Sequence, residues 1–290
     1  MKFEVMSSDG STYAKTANAH MEAGMFYRST FATVTSYSSK STPLTLKAIE
    51  DCTIGIINNA EDYLYYCVDG LRVGIPSGET GSFDLTADQE VEFYGDNATY
   101  SAELGGYTNF TINGQCYIYG NIMSLISSTD FANLTEFTSP GVFSHLFSNC
   151  SNLRNHPEKR LLLPATTLTS SCYESMFEYC TGLTQTPDLP ATTLQEGCYN
   201  CMFEGCKNLT TAPELPAPTL VKYCYQFMFA DCSNLNSVTC FATNMSANNC
   251  TYDWLRGVAS SGTFTKAADA NWSGIYAAGG IPSGWTVVDK

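Results

Sequence analysis

Residues 164–258 repeat one pattern at a fixed step, in which equivalent positions differ by 26 in number (198 − 172, for example). Three copies begin LPATTLTSSCYESMFEYC, LPATTLQEGCYNCMFEGC and LPAPTLVKYCYQFMFADC, and a fourth copy is degenerate. One cysteine recurs at the same place in all four, at Cys172, Cys198, Cys224 and Cys250. Repetition at such a period is typical of units that stack, because no single unit can bury its own apolar side chains. The pattern therefore predicts a linear array of stacked repeats.

Each regular copy is predicted to contain a short helix followed by an extended segment. From Cys172 to Cys180 the apolar residues follow the spacing i, i+1, i+4, i+5 and i+8, which favours one face of a helix. Residues 183–190 are interpreted as extended, and Pro187 and Pro190 lack the N–H donor that a ladder needs. Short strands, ended by the prolines, are expected.

Cysteine usage follows the repeat and not a disulfide pattern. Ten of the 13 cysteines lie between Cys150 and Cys250, most of them in repeat columns. Because cysteine packs as a small hydrophobe, buried thiols are favoured over disulfides or metal ligands. The C-x-x-C at Cys198 and Cys201 has no nearby histidine to complete a zinc site, so a redox or metal role is the less favoured interpretation.

The repeats are flanked by irregular segments on both sides. Residues 120–163 are predicted to be a transition with an irregular first repeat, because the LF pair of residues 146–147 and Cys150 stand 30 positions before their equivalents (180 − 150). The extra length is placed in the charged stretch 155–160. Residues 259–290 contain two strand-like runs and large aromatic residues, so they are predicted to cap the open end of the stack.

The N-terminal part of the chain has a different character. Short runs with alternating polarity and turn signals such as Asp69-Gly70 predict an antiparallel β-sandwich over residues 41–119. Residues 1–40 are polar, and they are interpreted either as an unstructured terminus or, by preference, as an arm that attaches to a partner. A short helix is expected over about Tyr13–Phe26. The whole fold is therefore predicted to be α+β and β-rich.

The charge distribution excludes some classes of partner. The formal net charge is −14, and residues 41–140 hold 14 acidic against 2 basic residues. Phosphate binding requires clustered Lys and Arg, so nucleic acid and anionic membrane surfaces are not expected partners. The chain contains no apolar run long enough to span a membrane, and its start, MKFEVMSSDGSTYAK, lacks the apolar core of a secretory signal. Assembly in a reducing cytoplasm, without membrane insertion, is the resulting expectation.

The repeats, GNIMSL at residues 120–125 and the GTF…GIPSGWTV ending resemble BspA-like leucine-rich repeat proteins of the gut-bacterial and gut-phage type. The resemblance covers roughly residues 41–290 and implies a short solenoid after the β-sandwich. It also implies a non-enzymatic protein. The leading hypothesis is a bacteriophage virion component (a fibre, tail or capsid-decoration protein) that binds a host surface or glycan. A bacterial cell-surface adhesin and a purely architectural virion subunit without a ligand are the alternatives.

No catalytic residue, cofactor site or metal site is predicted. The three histidines lie in unrelated contexts, and the acidic residues between Asp84 and Asp96 do not match a calcium-binding loop. Attachment to other virion or surface proteins through residues 1–40 and the β-sandwich is expected, as is a homo-oligomer. Polar residues between the constant positions of the repeats are interpreted either as plain solvated surface or as a ligand-facing ridge, which comprises Thr184, Gln185, Asp188, Thr210, Thr211, Glu214, Asn236 and Ser237.

Overall fold

The computed structural model describes residues 40–101, 106–272 and 279–290, and the backbone of two strands nearer the N-terminus. Met1–Thr35 and Ser36–Lys290 are separate compact units. In the first, strand β1 (Lys2–Met6) pairs antiparallel with β2 (Thr12–Thr16). Strand β2 occupies the start of the helix predicted over Tyr13–Phe26, so that prediction is wrong there. The remainder of the predicted helix lies outside the described residues.

The second unit is rich in β-strands arranged in several sheets. Within its described residues the only helical element is a 3₁₀ helix, Ile122–Leu125. Its strands are β3 (Leu44–Ala48), β4 (Cys52–Ile57), β5 (Leu64–Val68), β6 (Leu71–Ile75), β7 (Thr80–Leu85), β8 (Glu90–Gly95), β9 (Asn109–Asn113), β10 (Cys116–Asn121), β11 (Leu153–Asn155), β12 (Leu161–Leu162), β13 (Thr211–Leu215), β14 (Ser237–Cys240), β15 (Gly262–Lys266) and β16 (Trp285–Asp289).

Two sheets form the N-terminal part of this unit. One has the order β11-β10-β3-β8-β5-β6, with β12 also pairing with β10, and the other has the order β7-β4-β9. Apolar side chains alternate along the strands, so each sheet buries one face. The buried faces meet, because Phe93 of β8 packs edge-on against Phe110 of β9 at 5.0 Å. Asp69 and Gly70, both with positive φ, form the turn predicted between β5 and β6.

The segments predicted to be helical are runs of tight turns, so the helix prediction over Cys172–Cys180 is wrong. Every fourth residue has positive φ, as at Ser171, Ser175 and Tyr179 (52°, 51° and 55°). A turn that repeats every fourth residue returns side chains to the same side almost as a helix does. The apolar spacing is therefore compatible with both structures. The residues that the turns bury are the same ones that a helix would have buried.

Hydrogen bonds between copies join the turns into a ladder. Backbone N–H groups of alternate residues donate to carbonyl oxygens of the next copy, as Tyr173 donates to Cys198 (3.0 Å) and Phe177 to Met202 (2.9 Å). The intervening N–H groups donate to carbonyl oxygens within the same copy, as Met176 donates to Tyr173 (3.3 Å). About half of the backbone N–H groups in the turns of each copy therefore find their hydrogen-bond acceptor only in a neighbouring copy.

Side chains stack in the same direction as the backbone ladder. Phe147, Phe177, Phe203 and Phe229 form a column with 5.7 Å between successive ring centroids and nearly parallel planes. A column of thiols donates to carbonyl oxygens of the preceding copy at 3.0 Å, through the pairs Cys180 to Phe147, Cys206 to Phe177 and Cys232 to Phe203. Nine of the ten cysteines between Cys150 and Cys250 are buried, which confirms the packing prediction for all but half-buried Cys201.

The two-sheet region terminates the turn ladder at its N-terminal end. The N–H of Tyr100 donates to the carbonyl oxygen of Val142 (3.0 Å), and that of Phe110 donates to Leu146 (2.9 Å). These carbonyl groups occupy the positions at which regular copies accept bonds from a preceding repeat. The irregular first repeat is therefore continuous with the strand β9 that covers it.

The C-terminal half of the chain adds a parallel sheet of order β13-β14-β15-β16. Both strand-like runs predicted after residue 259 are strands in this sheet. The expectation that prolines end the strands is wrong for β13, which contains Pro213. Pro213 is tolerated because β13 is an edge strand and its register shifts between Thr211 and Glu214.

Candidate functional site

The predicted ridge residues lie on the surface of the repeat stack. All eight are exposed except Ser237, which is half-buried. Thr210 and Thr211 are brought next to Asn236 and Ser237, because the Asn236 N–H donates to the Thr210 carbonyl (3.0 Å) and Thr211 faces Ser237 across the parallel pair β13–β14. The structure therefore assembles part of the predicted ridge on one sheet.

The parallel sheet extends this contact into a line of four hydroxyl groups. The in-register residues are Thr211, Ser237, Thr263 and Thr286, and we call them the hydroxyl row. Residues in register on parallel strands point to the same face, and neighbouring strands are about 4.8 Å apart. Val238 and Phe264, which follow row residues, are buried on the opposite face. The row therefore lies on the outer face, at a regular spacing set by the backbone.

A second line of side chains runs parallel to the hydroxyl row, two positions further along β14, β15 and β16 and, across the register shift, three positions further along β13. Thr239 and Thr265 form its centre and are half-buried, with Glu214 and Val288 at its ends. The two lines are separated by about 6.6 Å, the advance of two positions in a strand. Together they present a grid of threonine and serine hydroxyl groups on one face of the sheet.

Four of these hydroxyl residues, Thr239, Thr263, Thr265 and Thr286, are absent from the predicted ridge. The signal for two of them is the repeat itself, since Thr263 and Thr265 stand one full repeat step after Ser237 and Thr239. The position of Thr286 has no such signal. It stands less than one repeat step after Thr263 and enters the row only through the pairing of β15 with β16.

Thr184, Gln185 and Asp188 occupy a different setting, because residues 183–190 form no strand. The side chain of Asn155 replaces the missing ladder there. Its Oδ1 accepts from the N–H of Thr184 (2.8 Å) and of Gln185 (3.0 Å), and its Nδ2 donates to the Gln185 carbonyl (3.0 Å). The hydroxyl row, defined by strand pairing, therefore begins at Thr211, and no strand pairing in the described residues joins Thr184, Gln185 or Asp188 to it.

The charged groups near the grid are paired. Lys266 Nζ lies 2.6 Å from Asp289 Oδ1, and Lys290 Nζ lies 3.3 Å from Glu214 Oε2. Each cation is thus matched by an anion at the ends of the strands. With Glu214 of the second line paired to Lys290, the hydroxyl groups of the grid remain as neutral donors and acceptors, a chemistry suited to uncharged polar ligands.

The C-x-x-C thiols differ from reactive cysteines. Burial raises the pKa of Cys198 and of Cys201, whereas a reactive cysteine has a lowered pKa. The acidic side chains between Asp84 and Asp96 are dispersed, since Asp84 accepts from Thr53 and Asp88 pairs with Lys47. No group of three or more His, Cys, Asp or Glu able to hold a metal ion occurs within the described ranges.

In the part of the chain that the structure describes, no helix is both long and apolar enough to cross a membrane. Comparisons with protein-family models, curated protein sequences and solved structures find no match for this chain.

Proposed function

We propose that the chain is a non-enzymatic recognition protein whose hydroxyl row contacts a neutral, polyhydroxylated ligand such as a cell-surface glycan. The observation that carries this proposal is the in-register alignment of four hydroxyl side chains on a backbone fixed by parallel pairing. Hydroxyl groups both donate and accept hydrogen bonds, as sugar hydroxyl groups do. Because the row is held by the sheet, little conformational entropy is lost when a ligand is bound.

The architecture belongs to the same proposal. The two facing sheets would form a β-sandwich, and the stacked copies a short leucine-rich-repeat solenoid of the BspA-like type. In this view the chain is a bacteriophage virion component. It would attach through residues 1–40 and the sandwich as a homo-oligomer and display the repeats outward. The resemblance of the LPATTL and CY..MF..C segments supports this assignment.

Glycan-array screening of the full chain tests the recognition role. A variant carrying Ser237→Ala, Thr263→Val and Thr286→Val removes three hydroxyl groups. It leaves the backbone groups that pair the strands unchanged. Each lost hydrogen bond costs about 0.5–1.5 kcal/mol, so affinity for any glycan bound by the wild type should fall at least about tenfold. Thr192→Val, at an exposed threonine outside the grid, is the matched control and should bind normally.

Two results would contradict the recognition role. Undiminished glycan binding by the triple variant would exclude the hydroxyl row, and the absence of binding by the wild type to glycans and host cells would favour the purely architectural subunit. Mass spectrometry of purified virions tests the location. Detection of the chain in membrane fractions of bacteria that carry no prophage would favour the surface adhesin.

A further inference from the structure

Two buried thiols of the N-terminal sheets lie in direct contact. The Sγ atoms of Cys52 and Cys116 are 3.1 Å apart, and the side chains are 6% and 0% exposed. A disulfide bond requires the sulfur atoms to approach about 1 Å further. The repeat thiols are arranged differently, because Cys180, Cys206 and Cys232 each point at a carbonyl oxygen of the preceding copy.

The contact joins two different sheets. Cys52 is the first residue of β4, in the three-stranded sheet, and Cys116 is the first residue of β10, in the larger sheet. A covalent bond here would connect the buried faces of the two sheets. It would also restrain β10, the strand on which β11 and β12 of the first repeat pair.

We infer that Cys52 and Cys116 are an oxidation site, at which a small-molecule disulfide such as oxidised glutathione converts the thiol pair into an inter-sheet disulfide. One cysteine loses its proton and attacks the small disulfide, forming a mixed disulfide and releasing one small thiol. The second cysteine loses its proton and displaces the other small thiol. The protein pair thereby loses two electrons and two protons, and the small disulfide is reduced to two thiols.

Burial raises the pKa of both thiols, so few thiolates form in the closed structure and exchange is slow. Both cysteines begin their strands, and the residues that precede them, Asp51 and Gln115, are exposed and half-buried respectively. Local opening at the start of β4, beside exposed Asp51, would expose Cys52 for the first attack. Cys116, which is paired with strands on both sides, would then displace the second small thiol. This inference does not depend on the proposed glycan recognition.

The experiment uses the full chain, first reduced completely and then equilibrated with mixtures of reduced and oxidised glutathione. Free thiols are alkylated after unfolding, and a peptide map without reductant identifies any bond. The expected result is loss of two of the 13 alkylatable thiols and a peptide that joins Cys52 to Cys116. A bond across 64 positions should raise the Tm by about 5–10 °C.

The Tm of each variant, Cys52→Ala and Cys116→Ala, is measured in oxidising and in reducing buffer. The difference between the two buffers is compared, so that any loss of stability caused by the substitution itself cancels. Each should abolish the Tm difference between the buffers, whereas Cys67→Ala, at a half-buried thiol of β5, should retain it. A map in which other cysteines pair first would overturn the inference. So would a Tm difference that persists in both alanine variants, or a wild-type pair that stays reduced at every glutathione ratio.

Discussion

Two glycines in one repeat provide a direct test of the turn ladder. Gly197 and Gly205 have nearly the same backbone conformation, with φ of +63° and +70°. Their surroundings differ. A Cβ at Gly205 would come within 2.3 Å of the Tyr179 ring in the preceding copy, whereas a Cβ at Gly197 would meet only Ser171 Oγ at 3.2 Å. Replacing each glycine by alanine therefore separates the backbone cost from the cost of inter-repeat packing.

The two costs have different magnitudes. An alanine in the left-handed region costs about 1–2 kcal/mol, and this should be the whole effect of Gly197→Ala on the free energy of unfolding. Gly205→Ala adds a steric overlap with Tyr179, and overpacking of this kind costs about 1–3 kcal/mol. Gly205→Ala should therefore destabilise the chain by about 2–5 kcal/mol in total.

Equilibrium urea unfolding of the full chain provides the assay, with Tyr179→Ala and the Tyr179→Ala/Gly205→Ala double variant completing a mutant cycle. Tyr179 is 43% exposed, so removing its ring opens space without leaving a closed cavity. The cycle should give a coupling energy of about 1–3 kcal/mol. Equal losses for the two glycine variants, or additive effects in the cycle, would refute the stacked-turn geometry.

Two further predictions concern the same copy. Phe203→Leu should cost about 1–3 kcal/mol, since it breaks ring contacts with both Phe177 and Phe229. The volume-conserving control Leu209→Met should lower stability in thermal unfolding by less than Phe203→Leu does. An equal loss of stability in the two variants would show that ring stacking is unimportant. Burial raises the pKa of Glu204, so stability falls as pH rises from the unfolded pKa through the folded pKa. Glu204→Gln should therefore raise the Tm more at about pH 7 than at about pH 4; an equal rise at both would contradict this.

The repeat step alone identifies much of the core. Met176, Phe177, Met202 and Phe203 are fully buried as predicted, because equivalent residues of stacked units must face equivalent surroundings. The same reasoning assigned the repeat cysteines to packing. Their S–H donation to carbonyl oxygens of the preceding copy could not be predicted, since it depends on how far apart the copies stack.

The repeat pattern predicted the local backbone conformation less well than it predicted burial. The apolar spacing in Cys172–Cys180 is compatible with a helix, and several positions that the structure places at positive φ, such as Tyr179 and Cys201, are not glycine. A residue in the left-handed region is unfavourable by itself. Here it is stabilised by hydrogen bonds to the next copy, which appear only when the copies are stacked.

The amino-acid sequence by itself determined that the chain forms an array, which side chains are buried in it and where the copies begin. Tertiary structure alone decided the turn conformation, the place of Thr286 in the hydroxyl row and the contact between Cys52 and Cys116. The physical reason is the range of the interactions. Periodic burial is encoded within each copy, whereas the register of Thr263 with Thr286, and the approach of two sheets, depend on strands that pair only after the chain has folded.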